Sequence, residues 1–189
     1  MISENSQAQN HLHDQICKHY PELQTWFKSL TRELSYPVYS SYDIRDSGYK
    51  ITNVDANIYP AGFNNICPTD KETSVELFRK YINTHYKFDV KNILLITEEH
   101  TKNPYYLENV ATISDLLNQA GFKVKLAFPK DLQETLVLES ATGRKLEFGS
   151  GYPQSPWVTE FKPDLIISNN DFSQALEEWG AGQTAAINP

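Results

Sequence analysis

Asparagine and aspartate are concentrated in one stretch of this chain. Asp43, Arg45, Asp46, Asn53, Asp55, Asn57, Asn64 and Asn65 lie among short apolar runs that contain Val54, Ile58 and Phe63. These residue types form strands poorly and are costly to bury unpaired, so such a density beside apolar residues points to a polar site. An Asn side chain offers donors and an acceptor together, which suits a ligand carrying both a carboxylate and an amino group. Arg45 could fork a carboxylate through two parallel bonds. With equal weight, it could pair with Asp43 or Asp46 at the strand end. Two further polar clusters follow, Thr97-Glu-Glu-His-Thr-Lys-Asn103 and Ser168-Asn-Asn-Asp171. His100 is the histidine on a candidate ligand loop. It is either a substrate contact or proton donor, or a residue bonded to backbone where a helix starts. Glu98 and Glu99 are adjacent acids on a loop, an arrangement that is usually solvated.

Each cluster taken alone reads as a helix cap or Asx-turn, and Asp171 is read as a cap. Taken together they imply one crevice. Its candidate ligand-binding residues are Arg45, Asn53, Asp55, Asn57, Asn64, Asn65, His100, Asn169 and Asn170. No catalytic residue and no metal ligand is assigned. The sequence has no Gly-x-x-x-x-Gly-Lys-Ser/Thr, no Gly-x-Gly-x-x-Gly, no Cys-x-x-Cys, no His-Glu-x-x-His and no Gly-x-Ser-x-Gly, so nothing marks a phosphate cradle or a nucleophile with its base.

The elements that must position these residues follow from periodicity. Ile16, Tyr20, Leu23, Phe27, Leu30 and Leu34 recur at spacings of three and four, which predicts helix over 8–34 with one apolar face. Pro21 breaks it into two helices. His11, His13 and His19 in this region are read as solvated, and Cys17 as a small core residue. Strands are expected at 37–44 and 50–54, joined tightly at Gly48. A helix follows over 68–87. Asn92–Thr97 is a continuous apolar run, as in a strand buried on both faces. A helix over 103–121 ends at Gly121 as its C′ residue, and a strand over 122–128 returns. This strand–helix–strand unit requires a right-handed parallel crossover. Residues 135–139 and 145–148 flank Thr142-Gly143 as a β-hairpin insertion, and 150–157 read as loop. Residues 164–168 form another buried strand and 172–179 a short helix. In open parallel sheets, ligands bind beyond the carboxyl ends of the strands, where all three polar clusters fall. The expected fold is therefore α/β, a mostly parallel Rossmann-like sheet flanked by helices in three layers. The expected organisation is N-terminal helices at 1–36, an α/β domain at 37–179, and a linker or disordered tail at 180–189.

Composition agrees. The 189 residues are 40% hydrophobic and 12% aromatic, enough for a core and against disorder. The net charge of −7, without a Lys/Arg cluster, disfavours nucleic acid as a partner. No apolar run approaches the roughly 20 residues of a membrane span, and the first ten residues do not read as a signal peptide. The two cysteines, Cys17 and Cys67, lie in no motif, which is simplest for a reduced, cytoplasmic protein. Cys67 is expected to be an inert, half-buried thiol.

The run Tyr42-Asp-Ile-Arg-Asp-Ser-Gly-Tyr-Lys-Ile-Thr-Asn-Val-Asp-Ala-Asn-Ile-Tyr-Pro-Ala-Gly-Phe-Asn-Asn65 resembles the N-terminal part of the proteobacterial glutamate–cysteine ligases of the ATP-grasp type. Glu98–Thr112 resembles the family's segment after its central strand, and Ile166–Ser173 resembles its later Asn-Asn-Asp strand end. The resemblance implies ATP-dependent joining of the glutamate γ-carboxylate to the cysteine amine, the first step of glutathione synthesis, through an acyl-phosphate with Mg²⁺ bridging the phosphates. It implies that 37–179 is a pre-ATP-grasp domain whose nine candidate residues face glutamate or cysteine. The ATP-grasp body is expected as a partner in cis beyond this chain. ATP and Mg²⁺ are expected to serve the full-length enzyme, without tight binding to this chain, which alone is expected to be inactive. The alternative is a stand-alone, non-catalytic amino-acid-binding or regulatory module.

Overall fold

The structure is a computed structural model; it describes residues 4–34, 36–57, 59, 61–99, 103–170 and 177–188. It divides into two compact units, Met1–Ile58 and Tyr59–Pro189. The boundary differs from the expected one near residue 36, because the strands after the helices pair with each other and not with the main sheet.

In the first unit, helix α1 (Glu4–Lys18) and helix α2 (Tyr20–Thr31) are separated at His19. Pro21 stands in the first turn of α2. It has no N–H to continue the α1 ladder, which accounts for the break. The apolar stripe is exposed: α2 has no buried residue, and Trp26 and Phe27 are 59% and 61% accessible. Periodicity reports that a helix has an apolar side; it does not report what covers that side. Cys17 is likewise exposed, and its Sγ lies 3.6 Å from His13 Nε2.

Strands β1 (Ser41–Asp46) and β2 (Ile51–Asn57) form an antiparallel hairpin. Asp46 Oδ1 accepts from Gly48 N at 2.7 Å, and Gly48 has φ +85°, so an Asx-type bond and a glycine in the left-handed region close the turn. The register slips once: Asp43 faces Asp55, whereas the next residue, Ile44, faces Asn53. The extra residue is Val54 on β2, a β-bulge.

The second unit opens with a 3₁₀ turn, Phe63–Asn65, and helix α3 (Pro68–His85). Strand β3 (Asn92–Thr97), helix α4 (Pro104–Gln119) and strand β4 (Lys123–Phe128) follow as the expected crossover unit. Asn103 caps α4 by accepting from Tyr105 N and Tyr106 N. At the other end Phe122 N donates to Leu117 O and Gly121 N to Asn118 O, with Gly121 at φ +103°. This is a Schellman closure, for which the C′ glycine is suited. Strands β5 (Leu136–Glu139) and β6 (Lys145–Ser150) form the expected hairpin. Strand β6 also pairs with β4 in parallel, so the hairpin continues the sheet. Helix α5 (Pro156–Phe161) occupies the later part of the expected loop, capped by Ser155 Oγ, which accepts from Val158 N. Strand β7 (Leu165–Asn169), helix α6 (Glu177–Ala181) and strand β8 (Ala186–Asn188) complete the unit. The tail expected as a linker thus carries an edge strand. Three residues are too few to show a period, and β8 is defined by its parallel pairing with β7.

The strand order is β5-β6-β4-β3-β7-β8, parallel except for β5. Leu94, Ile96, Ala127 and Ile166 of the sheet pack with Val158 and Trp179 on one side. On the other side Phe78 and Ile82 of α3 and Val110, Ile113 and Leu117 of α4 are buried. The result is the expected three-layer α/β arrangement. From β3 the chain crosses to β4 through α4, and from β7 it crosses the opposite way to β8 through α6, on the other side of the sheet. The topological switch point therefore lies between the carboxyl ends of β3 and β7. Among the described residues no helix is long and apolar enough to cross a membrane.

Candidate functional site

Thr97 and Asn169 are register partners at that switch point, at the last positions of β3 and β7. Residues 93, 95 and 97 alternate away from the Leu94–Ile96 side, so both side chains belong to the α4 side of the sheet. Buried polar residues gather here. Thr97 is 0%, Asn109 and Asn169 are each 1%, and Ser168 and Asn170 are also buried. Burial of this kind is tolerated when each group finds a partner. Tyr106 Oη donates toward Asn169 O (2.9 Å) and Oδ1 (3.0 Å) and accepts from Glu98 N at 3.0 Å. Asn109 Nδ2 donates to Asn169 Oδ1 at 3.5 Å. Asn109 Oδ1 accepts from Gly62 N and Phe63 N, both at 2.9 Å. Asn170 Nδ2 donates to Thr97 O at 3.0 Å, and Ser168 Oγ closes a small ring with the Asn170 backbone. The exception is Thr97 Oγ1, buried with no hydrogen-bond partner.

Burial pushes the Tyr106 phenol well above its ordinary value. It therefore remains protonated, and a donor, throughout the neutral range. The Glu98 carboxylate acts on the Tyr106 phenol in the same direction. Beside the cluster, Glu99 at the β3 end pairs with Lys130 beyond β4 at 3.2 Å. Such a site can orient a ligand by hydrogen bonds.

The nine residues singled out from the sequence divide as follows. Asn169 and Asn170 stand at the centre of the switch point. Asn64 and Asn65 sit in the 3₁₀ turn that Asn109 attaches to the same place, with Asn64 Nδ2 donating to Asn65 Oδ1 at 3.1 Å. His100 lies outside the described residues. Arg45, Asn53, Asp55 and Asn57 belong to the hairpin of the first unit. There the bulge sorts them, since directly opposed residues share a face. Arg45, Asp43, Asp55 and Asn57 fall on one face, and Asn53 joins Tyr42, Ile44 and Ile51 on the other. The ion pairs among the described residues do not include Arg45. Cys67 is exposed, where a half-buried thiol was expected, and donates to Asp70 Oδ2 at the start of α3.

Sequence reading missed Tyr106 and Asn109 as members of the site, and it placed Thr97 in a polar cluster without naming it as a candidate. One signal was present. Asn109 occupies the same helical stripe as Val110, Ile113 and Leu117, and an amide at an inward position needs a partner.

A family model described as GshA, glutamate-cysteine ligase, matches residues 13–189. No curated protein sequence matches the chain. Among solved structures, the crystal structure of a protein from Methylobacillus flagellatus KT, provisionally named a gamma-glutamylcysteine synthetase, is similar at a TM-score of 0.83 and 25% identity. The similarity covers 100% of this chain and 45% of that one, so the chain spans less than half of that protein's length. With a match along nearly its whole extent and the same fold, the chain belongs to the GshA family of glutamate–cysteine ligases.

Proposed function

We propose that this chain forms the substrate side of an ATP-dependent ligase that joins the γ-carboxylate of glutamate to the amine of cysteine. The observation that carries the reading, given the family, is the buried hydrogen-bonding cluster of Tyr and Asn side chains at the switch point. Amide groups there suit an amino acid, whose carboxylate and ammonium need acceptors and donors side by side. In this reading Asn64, Asn65, Asn169 and Asn170, with His100, hold the amino-acid substrate. Arg45, Asp55 and Asn57 on the hairpin form a second polar patch for the same class of ligand, and Asn53 on the opposite hairpin face is the weakest member.

ATP and Mg²⁺ belong, in this reading, to an ATP-grasp domain of the whole enzyme. Among the described residues no three His, Cys, Asp or Glu side chains come together to hold a metal ion, so no metal or phosphate step is assigned to this chain. Its contribution is to bind and orient, and by itself it does not turn over ATP. A cytoplasmic location fits such a reaction.

Calorimetric titration of the chain with glutamate, cysteine, γ-glutamylcysteine and ATP tests the reading. Glutamate or cysteine should bind, and Asn64→Ala with Asn65→Ala should weaken that binding about tenfold, equivalent to about 1.4 kcal/mol. Absence of heat with every amino acid would reject the site. Selective binding of some other amino acid would favour a regulatory binding module instead.

A further inference from the structure

We infer that Asn109 is a positioning residue, whose amide fastens the Gly62–Asn65 turn to the end of β7 and so sets the rim of the switch-point site. The inference rests on the reading of that site given above. Three segments distant in sequence meet at this one side chain: the turn, α4 and β7. Two successive amides, Gly62 N and Phe63 N, point to a single acceptor, Asn109 Oδ1. They converge because Gly62 lies at φ +114° and ψ 6°, a left-handed conformation that turns neighbouring N–H groups toward one point. In many proteins such a concavity takes an anion; here a neutral amide oxygen from the protein fills it. The other end of the same amide donates to Asn169 Oδ1.

The chemistry requires an amide. Aspartate would keep the acceptor for the two N–H groups and lose the donor. Leucine, of nearly the same shape, would lose both and leave two partly buried N–H groups without their acceptor. The 3₁₀ turn closes locally through Asn65 N donating to Gly62 O at 2.8 Å. Its ring contact, Phe63 with Phe78 at 6.3 Å between centroids, is loose. Asn109 is a polar link between the turn that carries Asn64 and Asn65 and the strand end that carries Asn169 and Asn170.

Residue-resolved amide hydrogen exchange on the full chain tests the tether. In Asn109→Leu, exchange at Gly62 and Phe63 should accelerate about tenfold or more, while amides of Leu94, Leu95, Ile166 and Ile167 keep their rates. In Asn109→Asp, which retains the acceptor, protection at Gly62 and Phe63 should stay within about threefold of the parent chain. Unchanged rates at Gly62 and Phe63 in Asn109→Leu would overturn the inference. So would a rise that core amides share equally, which is loss of global stability alone. If Asn109→Leu does not fold, the aspartate variant decides: loss of protection confined to the turn would contradict the acceptor role. Glutamate affinity, measured in parallel, should fall about fivefold in Asn109→Leu and by less in Asn109→Asp, which keeps the turn in place and loses only the donor to Asn169. A loosened turn with unchanged affinity would also overturn the positioning role. A parent chain that binds neither glutamate nor cysteine would defeat the reading of the site, and the exchange rates would still decide the tether.

Discussion

At the scale of single residues, the most informative atom is Thr97 Oγ1. A buried hydroxyl without a partner costs free energy on folding, so removing it while keeping its shape should be harmless. Thr97→Val is expected to leave stability within about 0.5 kcal/mol of the parent, or to raise it, in urea denaturation. A loss of more than about 1.5 kcal/mol would mean that the hydroxyl is satisfied after all, for example by an ordered water. Glu108 shows the opposite situation. Its carboxylate accepts from Ser140 Oγ at 2.6 Å and Thr142 Oγ1 at 2.7 Å and lies 3.5 Å from Arg144 Nη1. The Ser140 bond is the main cause that holds it below its ordinary value of 4.5, with Thr142 and Arg144 adding to it and partial burial opposing. A carboxyl depressed in the folded state contributes stability that is fully present above its unfolded value and is lost as pH falls through the folded value. The urea midpoint of the parent should therefore drop more steeply below about pH 4.5 than that of Glu108→Gln; superimposable pH profiles would contradict this. Neither role could be read from sequence. Thr97 stood in a polar cluster, but its unpartnered hydroxyl depends on packing, and Glu108 acquires its role from partners 32 and 34 positions away.

At the scale of elements, the parallel core was legible because its signals are long and local. Asn92–Thr97 and Asp164–Ser168 read as doubly buried strands, and the structure places β3 and β7 side by side, each flanked by strands on both sides. The Gly121 closure of α4 was legible for the same reason. What was not legible depends on pairing. The bulge at Val54 moves Asn53 off the face of Arg45 and Asp55, and plain alternation along β2 would have kept Asn53 and Asp55 together. Strand β8 is too short to announce itself. The passage from β6 to α5, read as loop, depends on close packing. A Cβ on Gly151 would lie 2.6 Å from Phe128 O, where Gly151 N itself donates to that oxygen at 2.8 Å. A Cβ on Gly149 would run into the Trp157 indole, whose Nε1 is held by Leu126 O. Gly151→Ala should accordingly destabilise the chain by about 1–3 kcal/mol in urea denaturation. A change below about 0.5 kcal/mol would show that the β4–β6 end accommodates a methyl group without moving.

At the scale of the whole molecule, the two units differ in how they carry their apolar residues. Tyr59–Pro189 buries Phe128, Phe148 and the β3 and β7 aliphatics completely. Met1–Ile58 leaves the α1–α2 stripe and hairpin residues such as Tyr42, Ile44 and Ile51 exposed. The candidate site divides along the same line. The residues gathered at the switch point were found in sequence through the rule that ligands meet parallel strands at their carboxyl ends. The hairpin residues were found through composition and family resemblance. Composition can nominate a polar patch without saying which sheet it joins. Backbone chemical shifts of the uniformly labelled chain, followed during titration with glutamate and then cysteine, test the switch-point assignment most directly. Saturable shifts should centre on Asn64, Asn65, Thr97, Asn169 and Asn170. Shifts confined to the opposite end of the sheet, around Asn92 and Asp164, or no saturable shift at about 10 mM of either amino acid, would contradict it.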